Sequence, residues 1–418
     1  MKYLLSFLLC LSAWWAVAQS FAPGKPAENG LSVDRLNRID QLVTDHVDKK
    51  RVNGAVVMVV RNGKVVYHKA FGYSDVEKQT AMKKDDIFRI ASQTKAITSL
   101  AVMMLFEEGK FLLDDPVSRY IPEFKNPKVL GTVNWADTSY TTQPAKGEIT
   151  IRQLLTHTSG IDYASIGSQE FKAIYAKAGI PSGIGTNNVV LADKMKKLGG
   201  MPLKHPPGEA FTYGLNTDVL GYLVEVLSGM SLDQFFRTRI FQPLGMTDTY
   251  FYLPKEKHAR LVPLYQVTDD KLSKVSNKVF DNIDLNYPTM AGTYYSGGAG
   301  LSSTTEDYAK FLQLFINKGE FNGIRLLSRK TVELMLTNQT KPPITEQVGL
   351  GFGLETNMND YQSIYSLGTF SWGGAFSTNY WADPKEKMVC LVYTNLMASP
   401  YRNMNEKVKT LIYQAIVD

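Results

Sequence analysis

Two residues three positions apart, Ser92 and Lys95, have the types and the spacing of a serine nucleophile and its lysine base. On a helix, residues at positions i and i+3 share one face, so the hydroxyl and the ammonium would be near enough to form a hydrogen bond. Burial disfavours the charged form of a lysine, which allows the side chain to take a proton near neutral pH. By itself the tetrapeptide is a weak signal, because about one or two chance matches are expected in a chain of this length.

The helix that carries this pair is predicted to be buried on all sides. Apolar residues occupy every face between Ala96 and Phe106, and Gly109 and Lys110 suit its C-terminal end. Lys95 would lie in the first turn, where the positive end of the helix dipole disfavours a cation. Local stability does not favour a lysine there, so the sequence indicates a functional role.

A tyrosine further along the chain could act with this pair. Tyr213 stands directly before a predicted helix that begins near Asn216 and ends at Ser228 and Gly229. Taken alone, Tyr213 fits half-buried packing and Asn216 fits a helix N-cap. A serine nucleophile also needs a base and orienting groups, for which both residues are candidates.

A third candidate segment contains the residues Trp372, Gly373, Gly374 and Ala375. Paired glycines weaken a strand unless another group must approach its backbone closely. If this is an edge strand, the Ala375 N–H and the Ser92 N–H could together form an oxyanion hole. The alternative for a glycine pair is a hairpin bend or a bulge.

Strand signals stand near both ends of the chain. Apolar, β-branched runs on either side of Asn62 and Gly63 predict one hairpin, and runs on either side of residues 383–386 predict another. The middle of the chain is mostly helix and loop. Residues 129–148 and 255–290 show little periodicity and are predicted to be long loops.

This order predicts an α+β fold with one antiparallel sheet built from both terminal parts and flanked by helices. The sheet domain would comprise residues 31–125 and 291–418, with a mostly helical domain, residues 126–290, inserted between them. In the C-terminal part, Ser303 and Glu306 predict a capping box at the start of a helix.

Residues 1–18 have the features of a secretory signal peptide, with Lys2 before an apolar run and a small-x-small site at its end. Residues 19–30 would be a polar linker. The apolar run is shorter than the roughly 18 residues that a membrane anchor needs. We therefore predict a protein exported by a bacterium, periplasmic or secreted, without a stable membrane anchor.

Composition excludes several other classes of function. The net charge of +6 arises from scattered residues rather than a basic stripe, so nucleic-acid binding has no support. Only Cys390 follows the predicted signal peptide, which rules out an intramolecular disulfide. The five histidines show no H-E-x-x-H or clustered spacing, and we predict neither a metal nor a cofactor.

The order and spacing of these motifs resemble the serine β-lactamase and penicillin-binding superfamily. The segments LLTHTSGI, PPGEAFTY, IFQPLGMTDT and GAGLSSTTEDY are similar to those of class C β-lactamases and family VIII carboxylesterases. The resemblance implies a β-lactamase/transpeptidase-like fold with Ser92 as the acylated nucleophile. It also implies Lys95 and Tyr213 as the proton-transfer pair, and the Ser92 and Ala375 N–H groups as the oxyanion hole.

Two departures from the β-lactamase pattern bear on the substrate. β-Lactamases of this superfamily carry Tyr-x-Asn and Lys-Thr-Gly, whereas here Asn216 lies one place late after Tyr213. The residues Trp372, Gly373 and Gly374 stand at the third motif, so the lysine that would hold a β-lactam carboxylate is missing. By this resemblance, these three residues and Asn216 would bind an uncharged acyl substrate.

The first hypothesis is therefore a serine hydrolase that acts on small carboxylic esters through an acyl-enzyme. The alternatives are β-lactamase or D-amino-acid peptidase activity at the same site, and a non-catalytic peptidoglycan-binding protein. A Ser-His-Asp triad with His157 is disfavoured because the chain has no G-x-S-x-G, and His157 suits a turn-fixing role. The oligomeric state is left open. Aromatic residues of the two loops are expected to line an acyl pocket: Trp135, Tyr140, Tyr265, Phe280 and Tyr287.

Overall fold

The computed structural model of the protein describes residues 20–185, 189–276, 278–280, 283–397, 399–401 and 403–418. The predicted signal peptide, residues 1–18, lies outside these ranges and stays a prediction. The described part of the predicted linker carries a two-residue strand and a short 3-10 helix, Ala27–Asn29.

Strands occur along the whole described chain. They are β1 (Ala22–Pro23), β2 (Gly54–Arg61), β3 (Lys64–Asp75), β4 (Thr80–Ala81), β5 (Phe88–Arg89), β6 (Lys128–Asn134), β7 (Ser139–Pro144), β8 (Tyr265–Thr268), β9 (Lys271–Lys274), β10 (Ser302–Ser303), β11 (Glu320–Phe321), β12 (Ile324–Arg325), β13 (Gly353–Leu354), β14 (Phe370–Gly373), β15 (Thr378–Asp383), β16 (Met388–Tyr393) and β17 (Leu396–Met397).

The main sheet joins strands from both ends of the chain. Its order is β1-β3-β2-β16-β15-β14-β13, with β4 paired to β3. N-terminal β2 lies against C-terminal β16, with Met58 opposite Leu391. All of these pairs are antiparallel except β1 with β3. The predicted fold class is confirmed, with one short parallel strand added at the edge.

The described residues also form α-helices along the chain. They are α1 (Val33–Asp48), α2 (Thr94–Glu107), α3 (Ile151–Leu155), α4 (Gln169–Ala178), α5 (Leu191–Gly199), α6 (Asn216–Ser228), α7 (Leu232–Phe236), α8 (Gln242–Leu244), α9 (Thr305–Ile316), α10 (Arg329–Met335) and α11 (Met404–Tyr413). A π-helical turn, Arg237–Phe241, joins α7 to α8.

Strand β2 shows how the layers are built. Every residue of this strand is buried, because helices cover both faces of the sheet. Val56 and Met58 face the larger core with α2 and α9, whereas Val57 and Val59 face a second core with α1 and α11. The period of two along the strand therefore divides its side chains between two cores.

Helix α2 is the central helix that the sequence predicted. Residues 94–105 are all buried, and Gly109 beyond its end has a left-handed φ of 70°. Because α2 packs between the sheet and α6, its N-terminal end is fixed from several directions.

The two predicted loops contain regular structure. Residues 128–144 form the hairpin β6–β7, and residues 265–274 form the hairpin β8–β9. The sequence does not predict β6 and β7, because both strands are largely exposed and lack an apolar face. The boundaries of the inserted domain, residues 126–290, stay a prediction.

The predicted capping box at Ser303 is wrong by one position. Helix α9 is capped by Thr304, whose hydroxyl accepts a hydrogen bond from the Asp307 N–H at 3.2 Å. Ser303 instead ends strand β10, and its hydroxyl contacts Thr249 at 2.8 Å. The pairing of β10 with β5 therefore determines where α9 begins. The local sequence motif does not predict this pairing.

Candidate active site

Ser92 lies in a one-turn 3-10 helix, Ala91–Gln93, between strand β5 and helix α2. Ala91 has a positive φ of 42°, which costs free energy in a residue with a side chain. The Thr94 hydroxyl holds the turn, because it donates to the Ala91 carbonyl at 2.7 Å and accepts from the Leu301 N–H at 3.1 Å. Ser92 is half-buried at this corner between strand and helix.

Lys95 is 2% exposed and donates hydrogen bonds to three oxygen atoms. Its Nζ lies 3.2 Å from Ser92 Oγ, 2.8 Å from the Tyr163 hydroxyl and 2.7 Å from the Gly298 carbonyl oxygen. Three donated bonds use all three hydrogens of an ammonium group. The spacing of Ser92 and Lys95 therefore brings them into the contact that a nucleophile requires.

Glycines allow the Gly298 carbonyl to reach Lys95. A Cβ atom on Gly298 would lie 2.5 Å from a carboxylate oxygen of Asp218, so any larger residue would displace the segment. The Thr98 hydroxyl of α2 donates to the Gly297 carbonyl at 2.7 Å and fixes the segment from the other side. Close backbone approach thus supplies one of the three acceptors around Lys95.

Two tyrosines flank the Lys95 ammonium, of which the sequence analysis found one. The Nζ lies 4.7 Å from the ring centre of Tyr213 and 5.5 Å from that of Tyr163, within reach of a cation–π attraction. Burial, and then the neighbouring Tyr213, raise the pKa of Tyr163 well above its ordinary value. Tyr163 is therefore a neutral phenol at neutral pH. The feature of the sequence that could have indicated Tyr163 is its place three residues after the turn Thr158-Ser159-Gly160.

An aromatic wall, formed by Tyr213, Trp372 and His157, stands beside Lys95. The Trp372 indole N–H donates to the Tyr213 hydroxyl at 3.4 Å. The His157 ring stacks on the Trp372 ring, with ring centres 6.4 Å apart and an interplanar angle of 17°. The ring centres of His157 and Tyr213 are 4.9 Å apart. Burial, followed by the nearby Lys95 charge, lowers the pKa of His157 well below its ordinary value. The histidine is therefore a neutral part of the wall.

Asn216 supports this wall from behind. The residue is fully buried, its Oδ1 accepts from the Ser159 hydroxyl, and its Nδ2 lies 3.0 Å from His157 Nδ1. Since Nδ2 can only donate, His157 Nδ1 is the acceptor and the ring hydrogen lies on Nε2. The amide is thus occupied by protein partners, and this geometry favours a positioning role for Asn216 over direct contact with substrate.

Ala375 lies in the turn between β14 and β15, so the hairpin-bend alternative describes its backbone. A Cβ atom on Gly374 would lie 2.4 Å from the Ile90 carbonyl oxygen, which shows how closely this turn approaches the chain just before Ser92. Ala375 also packs against the small apolar cluster that contains Ala91. The two backbone segments proposed for an oxyanion hole are therefore neighbours.

Asp218 is a buried carboxyl behind Lys95. It is fully buried in the first turn of α6 and accepts a hydrogen bond from the Tyr294 hydroxyl at 3.3 Å. Burial raises its pKa to about 6, although hydrogen bonds and the Lys95 charge oppose the shift. The Gly298 peptide separates this carboxyl from Lys95. The fold thus keeps an acid facing the cation at some cost in stability.

We expect Asp218→Asn to gain stability relative to the parent as the pH rises. A carboxyl whose pKa is raised from 3.8 to about 6 binds its proton more tightly in the folded chain, so the parent loses stability as the pH passes through about 6. An amide does not titrate. The free energy of unfolding of the variant minus that of the parent should therefore increase by about 3 kcal/mol between about pH 4 and pH 8.

Urea denaturation of both proteins across that range measures the difference. A constant offset from the lost hydrogen bonds does not affect its dependence on pH. A difference that stayed flat across the range would show that Asp218 keeps an ordinary pKa.

The five aromatic residues predicted to line an acyl pocket differ in burial and position. Tyr265 and Tyr287 are 1% exposed, whereas Trp135 is 58% exposed, and Phe280 packs on Phe376 with ring centres 6.1 Å apart. The five loop aromatics therefore do not line one acyl pocket. Among the described residues, no three His, Cys, Asp or Glu side chains are grouped to hold a metal ion.

Comparison with known proteins identifies the family. A family model described as Beta-lactamase matches residues 39–414. The chain belongs to the beta-lactamase family. The resemblance inferred from the motifs is therefore confirmed, and the site around Ser92 belongs to a beta-lactamase-type fold.

Relatives within the beta-lactamase family include esterases and acyl-transferring enzymes. Esterase EstB of Burkholderia gladioli is 30% identical over 377 residues, which covers 86% of this chain and 90% of EstB. The solved structure of EstCE1, described as a hydrolase with promiscuous acyltransferase activity, has a TM-score of 0.78 at 26% identity and covers 91% of this chain and 99% of its own. The solved structure of simvastatin synthase LovD of Aspergillus terreus has a TM-score of 0.77 at 25% identity. The match covers 91% of this chain and 98% of the LovD chain.

Proposed function

We propose that this member of the beta-lactamase family is a serine hydrolase that cleaves small carboxylic esters through an acyl-enzyme. The observation that carries the proposal is the hydrogen bond between Ser92 Oγ and the buried Lys95 Nζ at 3.2 Å. In the reaction Ser92 Oγ attacks the ester carbonyl, the alcohol leaves, and water then releases the acid.

Tyr213 is the residue that takes the Ser92 proton and returns it to the leaving alcohol. Lys95 has an acceptor for each of its three ammonium hydrogens, and Tyr163 is held neutral by burial. The phenolic oxygen of Tyr213 is thus left to act as the proton acceptor. It accepts a hydrogen bond from the Trp372 N–H at 3.4 Å, and the ring centre of Tyr213 lies 4.7 Å from Lys95 Nζ.

The oxyanion of the tetrahedral intermediate would accept hydrogen bonds from the backbone N–H groups of Ser92 and Ala375. Trp372, Gly373 and Gly374 would border the substrate. An indole at the position of the missing lysine offers an apolar surface rather than a cation, which favours an uncharged ester over a β-lactam carboxylate.

We further propose that the chain is exported by a bacterium, to the periplasm or beyond. The signal-like residues 1–18 and the single cysteine after them, Cys390, support this placement. No helix in the described ranges is long and apolar enough to cross a membrane. The substrate would accordingly be a small molecule met outside the cytoplasm.

A direct test compares hydrolysis of a short-chain p-nitrophenyl ester with opening of a chromogenic cephalosporin. We expect the ester to be the better substrate, with kcat/KM higher by at least about 100-fold, because Trp372 stands where a lysine would hold the lactam carboxylate. Equal or faster lactam opening would move the function to the β-lactamase or D-amino-acid peptidase alternative. Absence of both activities in folded protein would favour the peptidoglycan-binding alternative.

A further inference from the structure

Two adjoining cavities of about 420 and 370 Å³ lie between the β14–β15 hairpin and the N-terminal half of α11. Both are lined by Asn379, Asn405 and Glu406, so they form one continuous groove. We refer to it as the α11 groove. Its volume lies in the range of sites that hold small organic ligands.

The α11 groove reaches the proposed active site at two points. Ala375 lines one cavity, and Trp372 and Gly373 line the other. Of the four residues of β14, Phe370 and Ser371 pair with β13, so the edge of β14 is uncovered by β13 from Trp372 onward. A ligand can therefore extend from the face of the sheet that carries Ser92 around this edge to the face that carries α11.

Unpaired amide groups line the groove. The side chains of Asn379, Asn403 and Asn405 have no hydrogen-bond partner within the described ranges, although Asn405 is only 8% exposed. The Trp381 indole N–H beside them is buried and also lacks a partner among the described residues. Asn405 and Trp381 are buried, whereas Asn379 is half-buried and Asn403 is exposed. Because buried polar groups are normally satisfied, the unpaired Asn405 amide and Trp381 N–H indicate a site for a hydrogen-bonding ligand.

The charges of the described lining residues favour a neutral ligand. Among these residues the charged side chains are Glu406 and Lys409, which form an ion pair at 2.5 Å and so offset each other. Each asparagine amide both donates and accepts, as does each hydroxyl of a sugar or another polyol. A peptide would instead need a longer strand edge, since only Trp372 and Gly373 remain beyond the β13 pairing before the turn.

We propose that the α11 groove binds the alcohol part of the ester, and that this alcohol is a neutral polyhydroxylated group such as a sugar. The proposal rests on the esterase function proposed above. As the bond between Ser92 Oγ and the acyl carbon forms, the bond from that carbon to the sugar oxygen breaks. The sugar oxygen takes the proton from Tyr213 and the free sugar leaves along the groove, after which water hydrolyses the acyl-enzyme.

The test uses two acetates of six-carbon primary alcohols, 6-O-acetylglucose and hexyl acetate, which differ only in the alcohol part. We expect the parent to hydrolyse the sugar ester with a kcat/KM about tenfold higher or more. Asn405→Leu keeps the side-chain volume and removes the amide, so the ratio of the two kcat/KM values should fall about three- to tenfold.

A second variant, Asn379→Leu, should lower the same ratio. It provides an independent test of the groove if Asn405→Leu does not fold. Lys407→Ala is the matched control, because Lys407 is an exposed residue of α11 outside the groove lining. Its ratio should equal that of the parent.

Three other outcomes would count against the proposal in different ways. If both acetates are hydrolysed through Ser92 without preference, or if the ratio does not respond to either asparagine variant, the groove does not bind the alcohol and the esterase function stands. A depsipeptide ester preferred over the sugar ester, with sensitivity to Asn405→Leu, would assign the groove to peptides instead. No Ser92-dependent hydrolysis of either acetate would overturn the esterase function and the groove proposal together.

Discussion

Replacing Ser92 by alanine is expected to lower kcat/KM for p-nitrophenyl acetate by at least about 10⁴-fold, because the covalent route requires the Ser92 oxygen. The rest of the site would stay in place, since the Lys95 ammonium keeps its bonds to Tyr163 and Gly298. The parent, quenched with acid during turnover, should carry one acetyl group on the peptide that contains Ser92. Mass spectrometry of the digest measures this adduct, which the variant should lack.

Ser99→Ala is the matched control for this experiment. Ser99 is a buried serine of the same helix α2, and its hydroxyl has no hydrogen-bond partner within the described ranges. Removal of that oxygen should leave turnover and the Ser92 adduct intact. Full activity of Ser92→Ala, or an acetyl group on a different residue, would show that the nucleophile has been misidentified.

Replacing Lys95 by methionine is expected to give the second-largest loss, about 10²- to 10⁴-fold in kcat/KM. Methionine fills a similar volume but removes the ammonium that organises Ser92, Tyr163 and the Gly298 carbonyl. Initial rates of p-nitrophenyl acetate hydrolysis by both proteins measure this loss.

Lys310→Met separates catalysis from folding. Lys310 is another buried lysine, bonded to the Gly245 carbonyl at 2.7 Å and to Asp307 at 3.3 Å. Its loss should lower the urea midpoint while the kcat/KM of the folded protein stays near that of the parent. Equal loss of activity in both lysine variants would mean that Lys95 acts only through stability.

The sequence alone predicted the contact between Ser92 and Lys95 and the plan of the fold. The spacing of Ser92 and Lys95 acts over one helical turn, so local geometry suffices to bring them within 3.2 Å. The apolar, β-branched run of β2 and the Asn62-Gly63 turn are likewise local, and both led to the observed hairpin. The all-round apolar character of α2 correctly indicated a central, buried helix.

The expectations that failed depended on partners distant in the chain. The capping residue of α9 is Thr304 because β10 pairs with β5 and takes Ser303 into the strand. The hairpin β6–β7 was not predicted because its polar strands have no apolar face. Local patterns carry no information about such pairings.

Only the tertiary structure decided what surrounds Lys95. Tyr163 comes from the turn after α3, Gly298 from the segment before β10, and Asp218 from α6, and packing of α2 and α6 brings the three together. The same packing buries Asn216 and turns its amide toward His157 and Ser159. A sequence records residue types and near spacings, whereas the pKa of a buried acid or phenol depends on neighbours that only the folded chain supplies.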